Sequence, residues 1–87
     1  MDTGIKSRLE ILIGFRNTAL AQKIETEINI RVLQKAIILI TPGEEYEKLR
    51  KSLAQKKFNL ESIQRALDIM EEMIKEESKN AKTTSTN

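Results

Sequence analysis

Two pairs of neighbouring carboxylates, Glu44/Glu45 and Glu71/Glu72, and one basic run, Lys48, Arg50, Lys51, Lys56 and Lys57, are the groups in this 87-residue chain best suited by type to do chemistry. Paired carboxylates work as general acid and base, or hold a metal, when they face one another in a site that perturbs their ionisation. Here each pair is adjacent in sequence, so on a helix its members diverge by about 100°. The chain has no histidine, which removes the commonest general base and transition-metal ligand. It has no cysteine either, so thiolate catalysis, disulfides and cysteine zinc sites are excluded. Ser7, Ser52 and Ser62 lack an imidazole to activate them. The short turn Thr41-Pro42-Gly43-Glu44 has the make-up of no phosphate-binding loop. No catalytic, cofactor or metal residues are therefore assigned, and a non-enzymatic binding protein is expected.

The basic run is answered by an acidic one, Asp68, Glu71, Glu72, Glu76 and Glu77 against Lys75, and the net charge is only +2. Such blocks read first as solvated stretches of helix. A nucleic-acid footprint would need convergent cations and an aromatic platform, whereas three of these five cations splay around a helix and aromatic residues make up 3% of the chain. No apolar run approaches the roughly 18 residues of a membrane span. Ile11–Phe15 is short and adjoins Glu10, unlike a signal peptide. A soluble, cytoplasmic protein is the expectation.

The element that must carry these charges is defined by an uninterrupted heptad. Tyr46, Leu49, Leu53, Lys56, Leu60, Ile63, Leu67, Met70 and Ile74 follow at alternating steps of three and four, and only Lys56 is not apolar or aromatic. That period holds one helical seam against a partner helix. The spacing predicts a helix over 42–77, with Thr41 at the N-cap, Pro42 at its first position and Glu44 completing a capping box. Glu44–Lys48, Glu47–Lys51, Glu61–Arg65 and Glu71–Lys75 are spaced to support it as i,i+4 pairs. Lys56 either packs its stem on the seam with its ammonium in water or fixes register at some loss of stability.

Before the turn, Ser7-Arg8-Leu9-Glu10 fits a capping box. A short helix over 8–15 is expected, weakened at Gly14 and Asn17-Thr18, with a second over 18–40; one kinked helix is the alternative. Leu20, Ile24, Ile28 and Val32 recur every fourth residue, and Ile30, Leu33, Ile37 and Ile40 lie on another side. A helix apolar on two sides is usually sandwiched. Ala36–Ile40 could instead be a short strand, although no second strand-like segment exists to pair with it. Residues 78–87 lack an apolar pattern and read as a disordered tail, and Met1–Lys6 as a loose end.

The fold class is thus all-α: one domain over 1–77, an antiparallel coiled-coil-like helical hairpin with a short N-terminal helix. Phe58, Ile69 and Met73, with the small Ser62 and Ala66 between them, fall about 120° from the seam. Either residues 8–15 cover them in a three-helix unit, or they form a docking surface.

The stretch Pro42-Gly43-Glu44-Glu45-Tyr46-Glu47-Lys48-Leu49, and then Leu60-Glu61-Ser62-Ile63 running on to Ala66, Ile69 and Met70, resembles the small helical-hairpin co-chaperones of type III secretion needle subunits (the YscE/PscE type). The resemblance covers roughly residues 33–74, with Tyr46 about one helical turn further from Leu60 than in that family. It implies a cytoplasmic co-chaperone that pairs with a second, helical-repeat chaperone to shield a needle subunit before export. Phe58, Ile69 and Met73, together with Ile30, Leu33 and Ile37, are then the expected partner-binding residues. Other readings are a homo-oligomeric coiled-coil scaffold, a needle-like structural subunit, or a nucleic-acid-binding hairpin dimer using the basic run.

Overall fold

Two helices joined by a four-residue turn make up the computed structural model, which describes residues 7–86, with side chains for 7–80. Helix α1 (Arg8–Leu39) has 32 residues and α2 (Glu44–Thr86) has 43, or about 48 and 64 Å at 1.5 Å per residue. They pack as an antiparallel hairpin measuring 67 × 24 × 14 Å. The shortest dimension is close to one helix diameter, so the molecule is a single layer.

Helix α1 begins as its sequence dictates. The Glu10 N–H donates to Ser7 Oγ at 3.2 Å, and Glu10 Oε1 accepts from the Ser7 N–H at 3.3 Å, completing the capping box. The helix then runs unbroken through Gly14, Asn17 and Thr18, which corrects the expected short helix over 8–15 and the three-helix unit built on it. Asn17 lies inside the helix, where its Oδ1 accepts from Arg16 at 3.3 Å, while Thr18 Oγ1 donates back to the Gly14 carbonyl at 3.1 Å. A mid-helix glycine costs about 1 kcal/mol. Breaking here would require nucleating a second helix and would interrupt a seam that stays in phase across the site. Ala36–Leu39 is helical, which removes the strand alternative.

The α2 heptad is where the sequence put it: every position from Tyr46 to Ile74 is buried or half-buried, and Glu77 extends it. Its counterpart on α1 is Leu9, Leu12, Arg16, Ala19, Lys23, Thr26, Ile30, Leu33, Ile37 and Ile40, all buried or half-buried and also at steps of three and four. The row Leu20, Ile24, Ile28 and Val32 is exposed, so the expected sandwich of α1 forms on one side only.

Ion pairs Arg8–Glu77 (3.6 Å) and Arg16–Glu71 (3.8 Å), together with the turn, set the register. They place Ala19 level with Leu67, Ile30 with Lys56, and Leu33, Ile37 and Ile40 with Leu53, Leu49 and Tyr46. Leu67 meets the smallest residue of the opposite seam and is the most enclosed large side chain, 3% exposed. Arg16 is an expensive member of the seam, because its Nε is buried with no hydrogen-bond partner among the described residues. A buried unsatisfied donor costs about 1–3 kcal/mol. Among the described residues Leu12, Ala19, Ile30 and Leu67 are the buried ones, and none is fully enclosed.

At the turn Ile40 is extended (φ −108°, ψ 155°), followed by Thr41 and Pro42. The Glu47 N–H donates to the Gly43 carbonyl at 3.0 Å, so α2 starts at Glu44, two residues later than expected, and Gly43 holds the capping position assigned to Thr41. Glu44, Glu45 and Glu47 complement the positive end of the helix dipole. Within α2 the ion pairs are Glu45–Lys48 (3.8 Å) and Glu72–Lys75 (3.7 Å), at i,i+3 spacing, while Glu71 is drawn across to Arg16. Exposed pairs of this kind contribute at most about 1 kcal/mol. Gln55 Nε2 donates to Asn59 Oδ1 at 3.1 Å, and α2 passes through Asn59. It also continues beyond Glu77, through Ser78–Asn80 to Thr86, where a disordered tail was expected. Met1–Lys6, Asn87 and the side chains after Asn80 lie outside the described residues.

Two substitutions probe the seam. Leu67→Ala should lower unfolding free energy by about 2–3 kcal/mol in a urea titration, since Ala19 opposite cannot fill the space. Lys56→Leu, level with Ile30, should raise it by about 1 kcal/mol without altering assembly. A changed sedimentation coefficient in that variant would show instead that Lys56 fixes register.

Candidate functional site

The polar groups with chemical potential do not converge. Glu44 and Glu45 lie exposed at the start of α2, and Glu71 and Glu72 are exposed near its far end. Among the described residues no group of three or more histidine, cysteine, aspartate or glutamate side chains could hold a metal. Among the same residues no helix is long and apolar enough to cross a membrane. The basic run is divided by its own geometry. Lys48 pairs with Glu45, Arg50 stacks 5.8 Å from the Tyr46 ring centroid, Lys56 enters the seam, and Lys51 and Lys57 point outward.

The apolar residues expected to bind a partner fall into three places. Ile30 is buried, and Leu33 and Ile37 are half-buried, all on the seam facing α2, where they hold the hairpin closed. Phe58 is exposed on the side of α2 turned away from α1. Ile69 and Met73 are exposed about 16 Å further along α2, on one lateral flank.

That flank gains residues from α1 that the sequence did not reveal. Met73 lines a groove of about 400 Å³ between the helices with Arg8, Leu12, Glu76 and Glu77. Arg8 and Phe15 each immediately precede a seam residue of α1 and are one heptad apart, so Phe15 lies on the flank that Arg8 shares with Met73. The Arg16–Glu71 pair sets Phe15 at a height between Ile69 and Met73. Ile11 stands one turn from Phe15 and lines a second groove with it, of about 300 Å³, floored by Gly14 and Thr18. A Cβ placed on Gly14 would meet nothing within 4 Å, so packing inside the chain does not require glycine there. Ile11, Phe15, Ile69 and Met73 therefore form one patch, two residues from each helix, at the open end of the hairpin. Half-buried Ala66 and Ser62 continue it toward the middle.

This patch has the anatomy of a docking surface: aliphatic and aromatic groups at the centre and charges at the rim. Phe15 is 59% and Ile69 61% exposed, values that leave most of each side chain to be covered. Glu76 borders Met73 in the inter-helix groove, giving the α2 rim an acidic character. The missed signal was a relation between helices. Phe15 and Met73 each precede a seam position, and this relates them only when both seams and their register are known.

No family model matches the chain, and neither a curated protein nor a solved structure matches it significantly.

Proposed function

We propose that the protein is a non-enzymatic protein-binding module that docks a helix of its partner on the Ile11–Phe15–Ile69–Met73 flank. The observation carrying this reading is that four exposed apolar side chains, two from each helix, stand near the open end of the hairpin, where Met73 lines a groove between the helices. An apolar groove of this kind accepts the apolar face of an amphipathic helix, with anchors at i, i+3 or i+4, and i+7. Met73 adds an adaptable surface, because its unbranched thioether repacks readily. Phe58 offers a further anchor to a partner long enough to reach it.

The partner class rests on the residues around the turn and along α2 that are similar to the needle-subunit co-chaperones. On that basis the module works in the cytoplasm, paired with a helical-repeat chaperone, and keeps a secretion needle subunit from assembling before export. A single-layer hairpin with only four buried side chains among the described residues gains much from such a complex, since binding to the folded form alone stabilises it by mass action.

Ile69→Asp and Met73→Asp test the surface, because each places a charge in the patch without entering the seam. The variants should keep helical circular dichroism and the unfolding midpoint within a few degrees. In affinity capture from the host cytoplasm, the wild-type chain should recover a helical-repeat chaperone and a needle-like hairpin, and both variants should lose them. Undiminished capture by both variants would refute the docking role of the flank. Recovery of nuclease-sensitive nucleic acid in place of protein would overturn the binding class altogether.

A further inference from the structure

The outer face of α1 carries a second heptad that stands outside the seam with α2. Ile11, Gly14, Thr18, Ala21, Glu25, Ile28, Val32, Lys35 and Leu39 follow at alternating steps of three and four, and all nine are exposed. Positions five residues beyond the first seam residue of each heptad point opposite to the seam, and those two beyond it lie on the adjoining outer flank, where Val32 also borders a groove with Asn29, Leu33, Ser52 and Lys56. Beside this row lies Ile24, and the two most exposed large apolar residues among those described, Ile38 at 79% and Leu39 at 83%, sit at its end.

We propose that this face binds a second copy of the chain, α1 antiparallel to α1, through residues Ala21–Leu39. The occupant is identified by self-complementarity. In one register Ile28 of each copy meets Val32 of the second copy, so the two-fold axis passes between two β-branched layers. Outward from it, Glu25 meets Lys35 of the second copy, twice by symmetry. Further out, Ala21 meets Leu39 of the second copy, a small residue against a large one, and Ile24 approaches Ile38 along the edge. An isologous interface requires that one patch match itself, and few helix faces do. Registers one heptad away set Glu25 against Ile28 in one direction and Lys35 against Val32 in the other, burying a charge on an aliphatic group. Arg31 falls beside its own copy near the axis, where Glu27, one turn earlier on the same chain, is placed to balance it.

The arrangement also accounts for residues that the hairpin leaves without a purpose. Ile24, Ile28, Val32, Ile38 and Leu39 are large aliphatics in water on an isolated hairpin, whereas in the dimer each has a partner. It leaves Phe15, Ile69 and Met73 uncovered, since Ala21–Leu39 lies toward the turn. Dimerisation and the docking of another protein are therefore independent, and either can fail without the other.

Charge exchange at Glu25 and Lys35 gives the test, because both are exposed and neither touches the inner seam. The full-length chain should sediment at high micromolar concentration with twice the 10.0 kDa chain mass. Glu25→Lys sets lysine against lysine, and Lys35→Glu sets glutamate against glutamate. Each single variant should weaken dimerisation by about tenfold while retaining helix content, since two ion pairs become two repulsions. The double variant E25K/K35E should restore wild-type association. Ile28→Glu, at the axis, should yield a folded monomer. A wild-type chain that is monomeric at those concentrations would overturn the proposal, as would a dimer that Ile28→Glu leaves intact. Failure of the double variant to recover would overturn the register, and with it the self-complementarity on which the assignment rests.

Discussion

A single layer of two helices can bury side chains along one line only, the seam where the helices touch. Every larger feature of this protein follows from that constraint. A residue on the seam is covered by the opposite helix and by its neighbours above and below, but both lateral flanks stay open to water. Hence even Leu67 keeps a trace of exposure, and half-burial is the rule at the other seam positions. Stability then depends on how continuously the 3.5-residue period is kept on both helices, and little else is available to compensate for a fault.

The two helices meet this demand unequally. Helix α2 supplies an almost wholly apolar edge, whereas α1 opposes it with Arg16 and then, over its middle third, Ala19, Lys23 and Thr26. Their aliphatic stems cover apolar surface while the charged ends reach for water, and at Arg16 one nitrogen fails to find a partner. Large apolar residues in the same third of α1, Leu20, Ile24 and Ile28, point elsewhere. A sequence selected only for a stable isolated hairpin would exchange these two sets. Their placement is the feature of α1 that its contact with α2 does not explain.

The same division explains what could be read from residues alone. The α2 seam was legible because eight of its nine positions carry the apolar or aromatic signal themselves. The turn was legible in kind, since Pro42 excludes helix before it, although the true start of α2 was set by the Gly43 carbonyl. On α1 the signal was inverted. The exposed row Leu20–Ile24–Ile28–Val32 is more regular in hydrophobicity than the true seam, whose period passes through two cations and a threonine. Gly14 and Asn17-Thr18 are real local breakers, and they were outweighed by the register that α1 must keep against α2 along its whole length. Ile69 and Met73 could be singled out as surplus to the seam. Phe15 could not be joined to them, because that relation runs between helices far apart in the sequence.

The turn of four residues has a kinetic consequence. Bringing Ile40 against Tyr46 closes a very short loop, so the first layer costs the least chain entropy, and each layer formed shortens the loop that the next must close. The layers nearest the turn are also the richest in large apolar groups, so gain and low entropy cost coincide there. Both terms favour closing the hairpin from Pro42 outward, across the polar third of α1, with the end that holds Ile11, Phe15, Ile69 and Met73 joined last. Unfolding retraces that order, with the open end separating first. The apolar flank therefore sits on the part of the hairpin whose closure costs the most chain entropy.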